Sequence, residues 1–183
     1  MKNSLLKFGS HKALPAAVLC ALLNMSPAQD THAAAYVQCP GDNDGDAIVD
    51  RGGPQYDRVR CMHLSAGDGF VKMADGRLQY MFGFDDLTGI PENQAIDAGI
   101  LGARFPAPLI ALDQGDDFYL TLTNVGMIMR PDLADPHTVH FHGFPNASYI
   151  FDGLPDVSIS INMGASLTYY YHICLLYTSD AAD

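Results

Sequence analysis

Gly115-Asp116-Asp117-Phe118-Tyr119-Leu120-Thr121-Leu122-Thr123-Asn124 is the stretch that decides the fold. Gly115-Asp116 reads as a turn. The seven residues after Asp117 alternate, and they are rich in β-formers, which predicts a strand. Working outward, similar short runs recur between turn signals. Residues 108–112 (Pro-Leu-Ile-Ala-Leu) read as a strand. Gly69-Phe70-Val71-Lys72-Met73 and Arg77-Leu78-Gln79-Tyr80-Met81-Phe82 flank Ala74-Asp75-Gly76 and predict a hairpin on a two-residue turn, with Asp-Gly supplying positive φ. Residues 138–141, 157–161 and 166–171 are further expected strands, whereas residues 85–104 read as irregular. No helix and no internal repeat is predicted. Many short strands at close spacing point to an all-β sandwich.

The chain has 183 residues, enough for one domain or one domain with a small appendage. It is 48% hydrophobic and only 17% charged, which excludes a disordered chain. Lys plus Arg number 10 against 21 Asp plus Glu, giving a formal charge of −11. That balance excludes nucleic acid held through its phosphates. Gly 17 and Pro 11 suit a turn-rich β protein.

Residues 1–35 read as a signal peptide. Lys2, Lys7 and Lys12 precede an apolar run over residues 13–25, and Ala33-Ala34-Ala35 offers a cleavage site. The run is shorter than the ~20 residues a spanning helix needs, and no later segment is apolar enough to cross a membrane. Leu19 stands where a lipoprotein signal before Cys20 would have a small residue. The expected location is secreted or periplasmic, where disulfides persist. Cys39 and Cys61 flank a polar segment and are expected to bridge; two free thiols are the alternative. Residues 36–60 read as an acidic loop or linker. They contain Asp42-Asn43-Asp44-Gly45-Asp46-Ala47-Ile48-Val49-Asp50, whose Asp42, Asp44, Asp46 and Asp50 offer oxygen ligands to Ca²⁺. The run resembles the calcium loops of thrombospondin type 3 and dockerin-like repeats. It departs from an EF-hand at Ala47, where the turn Gly belongs, and at Gly53, where the bidentate Glu belongs. The alternative is a solvated acidic loop.

Seven His are present. His11 and His32 lie in the leader, and His63 reads as structural or exposed. The chemical signal is Pro136-His137-Thr138-Val139-His140-Phe141-His142-Gly143. On a strand, His140 and His142 project from one face and His137 from the other. Neutral imidazole suits copper, zinc and iron.

His-x-x-His-x-His-Gly resembles the copper motif of multicopper oxidases and their two-domain relatives, including copper nitrite reductases. Phe105-Pro106-Ala107-Pro108-Leu109-Ile110, Gly115-Asp116 and Leu122-Thr123-Asn124 are similar to the run ahead of that motif in the family's first cupredoxin domain. Phe151-Asp152-Gly153-Leu154-Pro155 and Asn162-Met163-Gly164-Ala165-Ser166-Leu167-Thr168-Tyr169-Tyr170-Tyr171 are similar to its continuation. The resemblance implies a Greek-key, cupredoxin-like β-sandwich over residues 61–172. It implies copper as cofactor, with His137 a type 1 ligand, His140 a type 2 ligand and His142 a type 3 ligand. An acid is expected at the His140 position in a nitrite reductase, so His140 favours an oxidase.

The family's partner motif, Tyr-His-Cys-His, is absent after residues 169–171, so the sandwich is expected to be incomplete at its C-terminus. His172 and Cys174 are not assigned as ligands. Residues 173–183 resemble a translated sequencing-adapter read-through and are expected to be non-native, a genuine final strand being the alternative. The full-length protein implied is an exported oxidase that couples oxidation of a small-molecule or metal-ion reductant to O₂ reduction. It is also a candidate homo-oligomer. This chain alone is expected to be inactive. Two alternatives stay open: an electron-transfer cupredoxin or nitrite reductase-like protein, and a Ca²⁺-binding β-sandwich surface module.

Overall fold

A computed structural model describes residues 35–144, 147–154 and 156–174. The chain divides into Met1–Thr31 and His32–Asp183, and everything below concerns the second unit. The expected signal peptide, apart from Ala35, and residues 175–183 of the expected tail lie outside the described residues.

The architecture is mainly β. Strands β1 (Val59–Lys72), β2 (Leu78–Asp86), β3 (Asp117–Gly126) and β4 (Ser166–His172) form one mixed sheet in the order β2-β1-β3-β4. The β1–β2 and β3–β4 pairs are antiparallel, while β1 and β3 run parallel, with an irregularity at Ala66/Gly67. Strand alternation places Met62, Leu64, Phe118, Leu120, Leu122, Tyr169 and Tyr171 in one buried cluster. Phe118 pairs with Tyr171, Leu120 with Tyr169 and Leu122 with Leu167.

The opposite face is buried but polar. His63 donates to or accepts from Thr123 at 2.7 Å, Thr123 meets Ser166 at 2.7 Å, and Thr121 meets Thr168 at 2.8 Å. These polar residues explain why β1 extends ten residues upstream of the strand expected from Gly69. His63 and Ser65 interrupt an apolar reading, yet both are buried. Over this face lie the N-terminal segment and a helix, α1 (Glu92–Gly99). The helix corrects the expectation of irregular structure there. Pro91 sits at its N-cap, followed by the good helix formers Glu92, Gln94 and Ala95. Residues 36–58 are fastened to the same region. Val37 N donates to Glu92 Oε2 (3.2 Å) and Gly89 N to Asp46 O (2.7 Å).

The hairpin forms as expected, but on three residues. Met73 N donates to Arg77 O, and Gly76 adopts φ 85° in the last position. Three expected strands, over 108–112, 138–141 and 157–161, form no ladder beyond the His137↔Ile161 bridge. Proline explains the first, since Pro106 and Pro108 have no N–H to give a sheet. In the third, Ile159 N is taken by Ile150 O in a local turn. Their apolar side chains still form the second layer: Ile110, Leu112, Val139 and Phe141 pack on the sheet core. Among the described residues, no helix is long and apolar enough to cross a membrane.

Candidate metal centre

The 137–144 segment keeps a strand's alternation without its ladder. Val139 and Phe141 point into the core, and His140 and His142 are exposed. The two rings stand 5.0 Å apart, centroid to centroid, in an edge-on arrangement. His140 Nδ1 lies 2.5 Å from Asp152 O and 3.3 Å from Asp152 Oδ1. A backbone carbonyl only accepts, so Nδ1 carries the proton and Nε2 keeps its lone pair. This is the arrangement by which an outer partner prepares an imidazole for a metal. His142 stands at the rim of a cavity of about 190 Å³ walled by Ile110, Phe118, Phe141, Phe144 and Tyr171. That wall is apolar and lies beside the ring.

His137 is half-buried, unlike the exposed His140 and His142. Its backbone pairs with Ile161 in both directions (3.0 and 2.8 Å). Its Nε2 is buried and without a hydrogen-bond partner. Burial lowers its pKa, opposed by the nearby Asp135 charge. A neutral ring with an orphaned inward nitrogen fits a ligand role. His172 Nδ1 bonds Asp117 Oδ1 at 2.7 Å, and Tyr170 OH donates to the same oxygen at 2.8 Å. Those two bonds, His172's first, hold the Asp117 carboxyl below its usual range. Sequence reasoning passed over Asp152, Gly153 and Ser158 as chemistry. The Asp152-Gly153 pair entered only as part of a family resemblance.

Among the described residues, the carboxylates of Asp42, Asp44 and Asp50 form the group of three or more metal-type ligands whose atoms converge, all within 4.8 Å of one another. Asp46 is not in that group; its Oδ1 accepts from Ile48 N at 2.8 Å. Asp42 accepts from Asp44 N, Gly45 N and Ala47 N (3.0, 2.7 and 2.9 Å), and Asp50 from Asn43 N (2.9 Å). Ala47 sits at φ 65°, the conformation the expected turn Gly would take. The Asp44 carboxyl is held above its usual range by desolvation, then by the Asp46, Asp50 and Asp42 charges. Cys39 and Cys61 are bridged, 22 positions apart.

No family model and no curated protein matches the chain. Among solved structures it is similar to a multicopper oxidase at 26% identity and TM-score 0.45, over 67% of this chain and 34% of that one. It is also similar to the multicopper oxidase from Campylobacter jejuni, described as a metallo-oxidase, at 17% identity and TM-score 0.43, over 77% of this chain and 22% of that one. The chain therefore spans about a third or less of the length of these structures.

Proposed function

We propose that this chain is a copper-binding, cupredoxin-like domain of an exported multicopper oxidase. In this reading His140 and His142 are ligands in an oxygen-reducing copper cluster, and His137 serves a separate type 1 centre. The observation that carries the reading is the adjacent His140–His142 pair, with Asp152 O occupying Nδ1 of His140 and leaving Nε2 to bind. The His-x-x-His-x-His-Gly motif supports it, as does the orphaned His137 Nε2. Copper, when bound, supplies one-electron transfer between a reductant and O₂. The protein's part is to fix the tautomer of His140 and to back His142 with an apolar wall. The Cys39–Cys61 bridge fits export to an oxidising compartment.

Equilibrium dialysis against Cu²⁺ should show loss of the site in His140→Ala and in His142→Ala, by more than the ~10–100-fold that outer partners account for. His137→Ala should spare that site. Equal copper retention in all three variants would count against the reading. Purified alone, the chain should not turn over a phenolic substrate, because three His complete neither centre; measurable turnover would refute the domain assignment.

A second, local reading concerns calcium. The convergence of Asp42, Asp44 and Asp50 supports a Ca²⁺ loop pinned by the disulfide. Calorimetry in millimolar Ca²⁺ should then raise the thermal midpoint relative to chelator. Identical melting would leave a solvated acidic loop, held by its own backbone hydrogen bonds.

A further inference from the structure

We infer that Gly153 is a positioning residue for His140, pressing the turn that carries Asp152 onto the histidine's backbone, and that Ser158 holds this turn closed. The inference deepens the copper reading above and rests on it. Gly153 adopts φ +67°. A Cβ placed there would stand 2.7 Å from Val139 O, 2.9 Å from Val139 C and 2.9 Å from His140 Cβ. Two of those three atoms are backbone, which has no rotamer to yield. The turn therefore approaches residues 139–140 as closely as glycine alone permits. That approach is what brings Asp152 O to 2.5 Å from His140 Nδ1. Any side chain at 153 must lift the turn, release Nδ1 and free the ring to exchange tautomers.

The far side of the turn is stapled. Ser158 Oγ donates to Tyr149 O at 2.5 Å and accepts from Leu154 N at 2.8 Å. Ser158 N donates to Leu154 O at 3.0 Å. One hydroxyl thus ties together both ends of the 149–154 segment, and Tyr171 OH adds a bond to Phe151 O at 3.2 Å. The bland explanation for a glycine at 153 is its positive φ alone. Gly164 separates the two explanations. It has φ +76° and nothing within 4 Å of its would-be Cβ, so alanine there bears similar backbone strain without the collision.

The test uses the full chain without metal, then with Cu²⁺. Imidazole ¹⁵N correlation spectra at about pH 8, where an ordinary His is neutral, should show His140 as the Nδ1–H tautomer in the wild type and in Gly164→Ala. In Gly153→Ala the Nδ1–H signature should be lost, and Cu²⁺ affinity should fall about 10–100-fold. Ser158→Ala should move both in the same direction by less, and it carries the test should Gly153→Ala fail to fold. An Nδ1–H tautomer that survives both Gly153→Ala and Ser158→Ala overturns the inference, as does equal loss in Gly164→Ala. A tautomer that responds as stated, in a protein whose copper binding ignores His140, upholds the positioning role and refutes the copper reading instead.

Discussion

Between pH 6.5 and about 4, the chain should lose about 3 kcal/mol of stability through one side chain, His63. The ring is fully buried within the polar face of the sheet. Its Nε2 meets Thr123 Oγ1 at 2.7 Å, and its Nδ1 has no partner. Burial lowers its pKa from 6.5 to about 4, and the Asp86 charge offsets only part of this. The unfolded chain therefore binds this proton at a higher pH than the folded one. The stabilising difference is fully present above the unfolded value and disappears as the pH falls through the folded value. Urea denaturation of the wild type and of His63→Gln, each at neutral pH and near pH 4, isolates the contribution from that of the many carboxylates. The wild type should lose about 3 kcal/mol more than the variant. Parallel losses in the two proteins would show that His63 is not the titrating group.

Removing the Cys39–Cys61 bridge should cost about 3 kcal/mol, the loop-closure entropy for a segment of this length. Cys61 lies on β1 two residues before His63, so the bridge pins the N-terminal segment over the same polar face. Its loss frees residues 36–58 to leave the helix, where Val37 N donates to Glu92 Oε2 at 3.2 Å. Cys39→Ser with Cys61→Ser should thus lower the urea midpoint markedly and speed hydrogen exchange in α1. Intact-mass measurement after alkylation checks that the wild type is bridged. Unchanged stability in the double variant would mean that the segment is held by its hydrogen bonds alone.

How far the sequence discloses this structure depends on where each residue's partners lie. Strands β3 and β4 are legible because one face is apolar and the other carries hydroxyls, so residues 118–124 and 166–171 alternate visibly. Strand β1 is not, because both of its faces are buried and one is polar; His63 and Ser65 look like solvent residues until Thr123 is set opposite. Helix α1 has two turns, and its buried residues, Ala95 and Gly99, carry almost no apolar signal. The reverse error occurs over 108–112 and 157–161, where apolar content predicts strands but prolines and local turn bonds deny them a ladder. At the candidate site, the pairing of His140 with His142 follows from two-residue spacing and holds even without a ladder. Asp152, Gly153 and Ser158 act across a turn of 12 or more residues, and their roles appear only when that turn folds back onto His140.

The central claim is that His140 and His142 bind copper through nitrogen. Electron paramagnetic resonance of the Cu²⁺-loaded chain, recorded for the wild type and for His140→Ala, tests it most directly. The account predicts a wild-type type 2 signal with imidazole-nitrogen coupling, and in His140→Ala a weaker signal that has lost that ring's coupling. The same copper content with an unchanged spectrum in the variant would contradict it.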